Sequence, residues 1–324
     1  MKPPFSVIFL TTLIGVAQGL FLALFASQLY AFFDLLPVQD SRNFYATGSI
    51  IALAFLCAGL IASLFHLGHP ERAWRAAAMW RTSWLSREVI VLPAFMGTVF
   101  LYAAAHWFDI KTPVIELSGS HQVDITLILG AVGTFLCFAL FLCTGMIYAS
   151  LRFMQEWHTP LTPLNFTLLG GASGFLMASV FASYAAPELI GFFAGWAIVL
   201  TILSLIGRAY TLMRNKRIKP KSSLSTAIGI KHPHIVQISP GSMGGSFNTR
   251  AFFHGQSDAL IRAIKPGFIV MAFIAPLLLL AAGLSAPTLL IAAFVIQYTG
   301  LLAERWFFFA EANHPQNLYY QKVA

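Results

Sequence analysis

HLGHPERAWRAAAMWRTSWLSREV, from His66 to Val89, stands between two long apolar runs and holds two histidines, four arginines and two glutamates. His66 falls where the second apolar run ends, and Glu88 where the third begins. Both are therefore expected at one membrane edge. A neutral ring nitrogen and a carboxylate so placed can hydrogen-bond the oxygens of a flat, lipid-soluble quinone and exchange protons with it, as general base or acid. Phe65 and Trp84 are candidate aromatic walls for such a ring. More modest roles remain open. His66 can cap a helix end, and an acid such as Glu88, following the candidate cap Ser86, is favoured by the helix dipole. Arg72, Arg75 and Arg81 read as orientation charges, and Trp74, Trp80 and Trp84 as interface anchors. From Pro70 the connection reads as a short helix on the membrane surface.

Two further sets of polar residues fall inside apolar runs, where an ionisable group is costly enough to call for a reason. Gln18 sits in the middle of the first run. Gln297, Glu304 and Glu311 are seven apart near the C-terminus and so share one helix face. Arg305 points about 100° away from that face, which predicts that it does not pair with Glu304 and that each meets a different helix.

The elements that must hold these residues follow from composition. Of 324 residues 58% are hydrophobic and only 10% charged, far below the charge content of ordinary soluble domains. Apolar runs of about 20 residues or more can cross a bilayer only as helices, because lipid leaves the backbone no other partners. Eight spans are predicted, over 6–33, 46–66, 86–107, 124–151, 163–186, 188–212, 266–284 and 287–309. The fold class is all-α: a polytopic membrane protein, one bundle of eight transmembrane helices over residues 1–324. A basic polar loop, 213–265, is inserted between spans six and seven and ends in an amphipathic surface helix. The first run is too long, and lacks the cleavage pattern, for a signal peptide.

Net charge is +8. The connections after spans two, four and six hold Arg72, Arg75, Arg81, Arg152 and nine Lys/Arg between 213 and 265; the others hold only Arg42 and Lys111. The bias places both termini and the His66–Val89 stretch in the cytoplasm of a bacterial inner membrane, and the positive charge is read as topology rather than nucleic-acid binding. Cys57, Cys137 and Cys143 lie in apolar spans without a CxxC pair and read as buried hydrophobes. Three thiols cannot hold an iron–sulfur cluster, and His66 and His106 fall at opposite edges, which argues against a bis-histidine haem. No metal site is expected. Small residues recur one turn apart at Gly15 and Gly19 and at Gly170, Gly174 and Ala178, a spacing that lets membrane helices pack closely.

"HLGHPERAWRA" followed by "SWLSREV" resembles the HLG-x-P-x-RA … S-x-L-S-x-E signature of the dimethyl sulfoxide reductase anchor subunit (DmsC) family, and "LLAERWFFFA" is similar to that family's final helix. The resemblance implies the membrane subunit of a three-part oxidoreductase in anaerobic respiration. A molybdopterin catalytic subunit and a ferredoxin-like four-cluster iron–sulfur subunit would be its partners, alongside the lipid bilayer. Menaquinone or ubiquinone would be the substrate exchanged. It implies the quinol-site histidine at His66 and its acidic partner at Glu88, with Arg72 and Ser86 on motif positions of unassigned role. Gln18, Trp84 and Glu304 complete the candidate site. The 213–265 insert and the "FFFAEANHPQNLYY" tail are more similar to the anchors of cytoplasmic sulfite dehydrogenases, in which electrons run from sulfite to quinone. A secondary transporter and a tether without redox chemistry are the competing readings.

Overall fold

The computed structural model describes residues 5–65, 67–110, 112–116, 122–219, 223–232, 234–235, 258–284 and 286–312. Eight of its helices are long and apolar enough to span a membrane: α1 Phe5–Phe32, α2 Ser41–Leu64, α3 Trp84–Trp107, α4 Ile125–Ala149, α5 Leu161–Ala185, α6 Pro187–Asn215, α7 Arg262–Ala282 and α8 Pro287–Glu311. A small antiparallel hairpin, β1 Pro113–Glu116 with β2 Gln122–Asp124, joins α3 to α4. The expected eight-span bundle is what the chain builds.

Local chemistry sets several helix starts. The Asp124 carboxylate accepts from Leu127 N at 2.9 Å and caps α4, and Pro287 supplies a first-turn residue that needs no hydrogen-bond acceptor. The cap of α3 is Ser83, whose hydroxyl accepts from Ser86 N at 3.3 Å, not Ser86 as the sequence suggested. The helix thus starts two residues early and buries Ser86. Pro70–Met79 is a 3₁₀ helix with no buried residue, as expected of a surface element.

The anticipated amphipathic surface helix before span seven is instead the leading end of a membrane helix. Asp258–Ile269 runs on through a wider π-helical turn, Val270–Ile274, into Ala275–Ala282. Pro276 has no N–H to give the carbonyl of Ala272. Gln297 Nε2 on α8 donates to that oxygen instead, at 3.4 Å, so the break in α7 is met from the neighbouring span. The Gly/Ser-rich tract of the insert and the C-terminal tail lie outside the described residues.

α1 and α5 are the most enclosed spans, and the two glycine stripes explain their approach. A Cβ on Gly19 or Gly174 would land on the backbone of the other helix, and one on Gly15 would stand 3.4 Å from Gly170 Cα. Around this crossing Leu20, Phe21 and Leu24 pack with Phe95, Val99 and Tyr102 of α3 and Leu176 of α5, Phe21 meeting Phe95 edge-on at 5.4 Å. In lipid such contacts stabilise by packing rather than by removal from water. Gly174→Ala is expected to destabilise the bundle by about 1–3 kcal/mol through overpacking. Gly97→Ala, with nothing within 4 Å of the added carbon, should leave the melting temperature of the solubilised protein unchanged, and equal behaviour of the two variants would contradict the close crossing.

Candidate functional site

Glu88 lies in the second turn of α3, partly buried. It points to α4, where the Thr144 hydroxyl donates a short hydrogen bond to its Oε1. The two line a crevice with Gln18 of α1, Phe166 of α5 and Arg305 of α8; Phe141 adds a second aromatic wall. Gly15 and Gly170 also line it, so the glycine crossing that brings α1 against α5 also keeps side chains out of this space. With its mouth included, the crevice has ≈ 430 Å³ of space between atoms. Gln18 is fixed by donating from Nε2 to the carbonyl of Cys137 at 2.9 Å, which ties α1 to α4. Because α3 and α5 start here while α4 and α8 end here, the crevice lies toward the bundle edge that carries the His66–Val89 connection.

Of the residues singled out in the sequence, Glu88 and Gln18 meet in this crevice. His66 lies outside the described residues, two positions beyond the end of α2. Phe65 is 82% exposed, and Trp84 sits under the Arg87 guanidinium at 4.2 Å. Neither lines the crevice, and the aromatic walls are Phe141 and Phe166 instead. Arg72 is exposed and pairs with Glu71 at 3.6 Å. Arg87 donates to the carbonyls of Trp80 and Arg81, both at 2.9 Å, pinning the end of the connection onto α3. Glu304 stands behind the wall formed by Arg305. Sequence reasoning passed over Thr144, Phe141 and Phe166, which nothing in their local pattern distinguishes from other span residues, and noted Arg305 without placing it in the site.

Glu304 belongs to a ladder between α6 and α8. Gln297 donates to Thr201 at 3.2 Å, Glu304 meets Arg208 at 2.7 Å and Glu311 accepts from Asn215 at 3.2 Å. Each rung joins residues 96 positions apart, so α6 and α8 run parallel, and successive rungs are ~10 Å apart along the axis. The seven-residue face on α8 was legible. Its complement on α6, also spaced by seven, was not, and Arg208 in the middle of it was missed. Arg208 is 2% exposed and Glu304 1%. Their contact is ionic rather than a directed hydrogen bond, since Arg208 Nε and Glu304 Oε2 are buried without an aligned hydrogen-bond partner. Glu311 reaches Arg208 Nη2 from the outer side at 3.9 Å.

Arg305 does pair with its neighbour, Nη1 lying 3.5 Å from Glu304 Oε2, against the expectation from their 100° separation. A long guanidinium can bend round the helix to a carboxylate that already faces another span. The companion expectation holds: Glu304 meets α6, while the Arg305 guanidinium stacks over Phe166 of α5 at 3.6 Å. Phe166 in turn stacks on Tyr148, which packs with Trp157, Phe308 and Phe309, an aromatic block that holds the cation in place.

The chain matches the family model described as DMSO reductase anchor subunit (DmsC) over residues 1–310. It belongs to the DMSO reductase anchor subunit family. One relative is the C subunit of the sulfite dehydrogenase of Allochromatium vinosum, 56% identical over 328 residues, the match covering the whole of both chains. The family and the eight spans make this a multi-pass membrane protein of the anchor-subunit type. Among the described residues there is no cluster of His, Cys, Asp and Glu able to hold a metal ion.

Proposed function

We propose that this anchor subunit takes the ring of a quinone in the crevice beside Glu88 and exchanges electrons between it and a docked iron–sulfur subunit of a molybdopterin oxidoreductase. The observation that carries the reading is the crevice: a carboxylate, a guanidinium, an amide and a hydroxyl converge between two phenylalanines at a membrane edge. The polar groups supply hydrogen bonds to ring oxygens, and the aromatic faces supply contact to the ring. The relative's name and its full-length similarity favour sulfite as the terminal donor over dimethyl sulfoxide as acceptor. Oxidation of sulfite with water gives sulfate, two electrons and two protons; the quinone takes up two electrons and two protons to become quinol. Glu88 is the proton donor to the ring oxygen in that direction and the acceptor in reverse. The charge bias of the connections supports a cytoplasmic crevice, an orientation that would suit soluble partners on that side.

His66→Leu tests the assignment to this edge. The complex should assemble and still pass electrons from sulfite to a water-soluble acceptor such as ferricyanide, while reduction of a quinone falls at least about tenfold, the equivalent of one lost hydrogen bond to a reacting oxygen. Undiminished quinone reduction would remove His66 from the site. Absence of sulfite oxidation with every acceptor, in the unmodified complex, would remove the proposed substrate.

A further inference from the structure

The charges around the crevice are unevenly shared. Glu304 serves two guanidinium groups, Arg208 at 2.7 Å and Arg305 at 3.5 Å. Arg208 has a second carboxylate, Glu311; for Arg305 the ionic neighbour is Glu304, which it shares with Arg208. It is 4% exposed, one face covered by Phe166, and it lines the crevice. A buried guanidinium that shares its carboxylate with a second cation and borders an open crevice favours an oxyanion in the space before it.

We infer that Arg305 makes the crevice selective for ring ligands that carry negative charge on an oxygen, such as an ionised hydroxyquinone or a one-electron-reduced quinone ring. This rests on the quinone reading of the crevice and adds to it the charge state that the site prefers. The groups that face Arg305 are consistent with such a ligand. Glu304 is held back by Arg208 on α6, so its charge is shared. Phe166 and Phe308 present aromatic faces. Glu88 belongs to α3 and is engaged by Thr144 on α4, so it acts on another part of the ligand, as a proton donor or acceptor. The ring oxygen nearest Arg305 then bears the charge while the oxygen nearest Glu88 exchanges the proton. A guanidinium also has the planar fork that an ammonium lacks, so lysine should substitute only in part.

The test uses the assembled complex in detergent and three probes: hydroxynaphthoquinone, ionised at neutral pH; its methyl ether, which is neutral; and methylnaphthoquinone. The unmodified complex should bind the ionised probe at least about tenfold more tightly than its ether, the scale of a charge-assisted hydrogen bond. In Arg305→Gln that preference should disappear, with ten- to hundredfold weaker binding of the ion and a smaller loss, under about tenfold, for methylnaphthoquinone, whose neutral oxygen takes a weaker hydrogen bond from the guanidinium; Arg305→Lys should retain part of the preference. Equal binding of ion and ether by the unmodified complex would overturn the proposal even if Arg305→Gln did not assemble. So would an assembled Arg305→Gln complex that keeps the preference or loses all three probes equally. Failure of every probe to bind the unmodified complex would instead remove the crevice as a quinone site, and the selectivity with it.

Discussion

Glu88→Gln should leave the anchor folded and the complex assembled, yet lower quinone turnover by about 10²–10⁴, the range associated with loss of a positioned acid or base. The amide has the size of the carboxyl and can still receive the hydrogen bond that Thr144 donates to Glu88, so the wall of the crevice should keep its shape. What it cannot do is give or take a proton. The measurement is steady-state reduction of a short-chain quinone by the purified complex, alongside electron transfer to ferricyanide as a control for the soluble partners. A glutamine variant with normal quinone turnover would end the case for a proton-exchanging role. Loss of both activities would point to failed assembly, which gel filtration distinguishes.

The largest effect on stability is expected from Glu304→Gln. Arg208, 2% exposed, would keep its charge and lose its 2.7 Å partner, and Arg305 would lose the same carboxylate. Breaking a buried ion pair from one side costs about 3–5 kcal/mol, because the surviving charge remains desolvated. The double substitution Arg208→Gln with Glu304→Gln should recover part of that loss, since it removes one of the two cations that Glu304 serves and leaves Arg305 alone without its carboxylate. Thermal unfolding of the solubilised protein in a double-mutant cycle reads the coupling. Additive effects of the two substitutions would show that the side chains do not act as a pair.

The eight spans were legible in the sequence because lipid enforces helix over any run of about 20 apolar residues, and the boundaries agree to within a turn or so except at the starts of α2, five residues earlier than expected, and of α7. There the polar residues of Asp258–Ile269 masked a helix that continues into the membrane. The glycine spacings announced a close crossing, but not that stripe would meet stripe. Glu88 and Gln18 stood out since polar residues are conspicuous against an apolar background. Thr144 and Phe166 did not, for Thr and Phe are ordinary inside spans and only the packing of α4 and α5 beside α3 and α8 gives them a task. Arg208 was hidden by its nearness to the basic run that follows α6, and Arg305 by the assumption that side chains keep to the direction of their Cα–Cβ bonds.

The ladder between α6 and α8 also constrains how the chain can be made. Arg208 leaves the ribosome 96 residues ahead of Glu304, a delay of about 5–20 seconds at ordinary rates of synthesis. For that interval a guanidinium that ends up sealed in the bundle has no carboxylate, and α6 must wait near the headgroups or lean on the insertion machinery until the last span arrives. The final helix therefore acts as a checkpoint on the whole bundle. A chain that lacks that helix would hold Arg208 without either of its carboxylates.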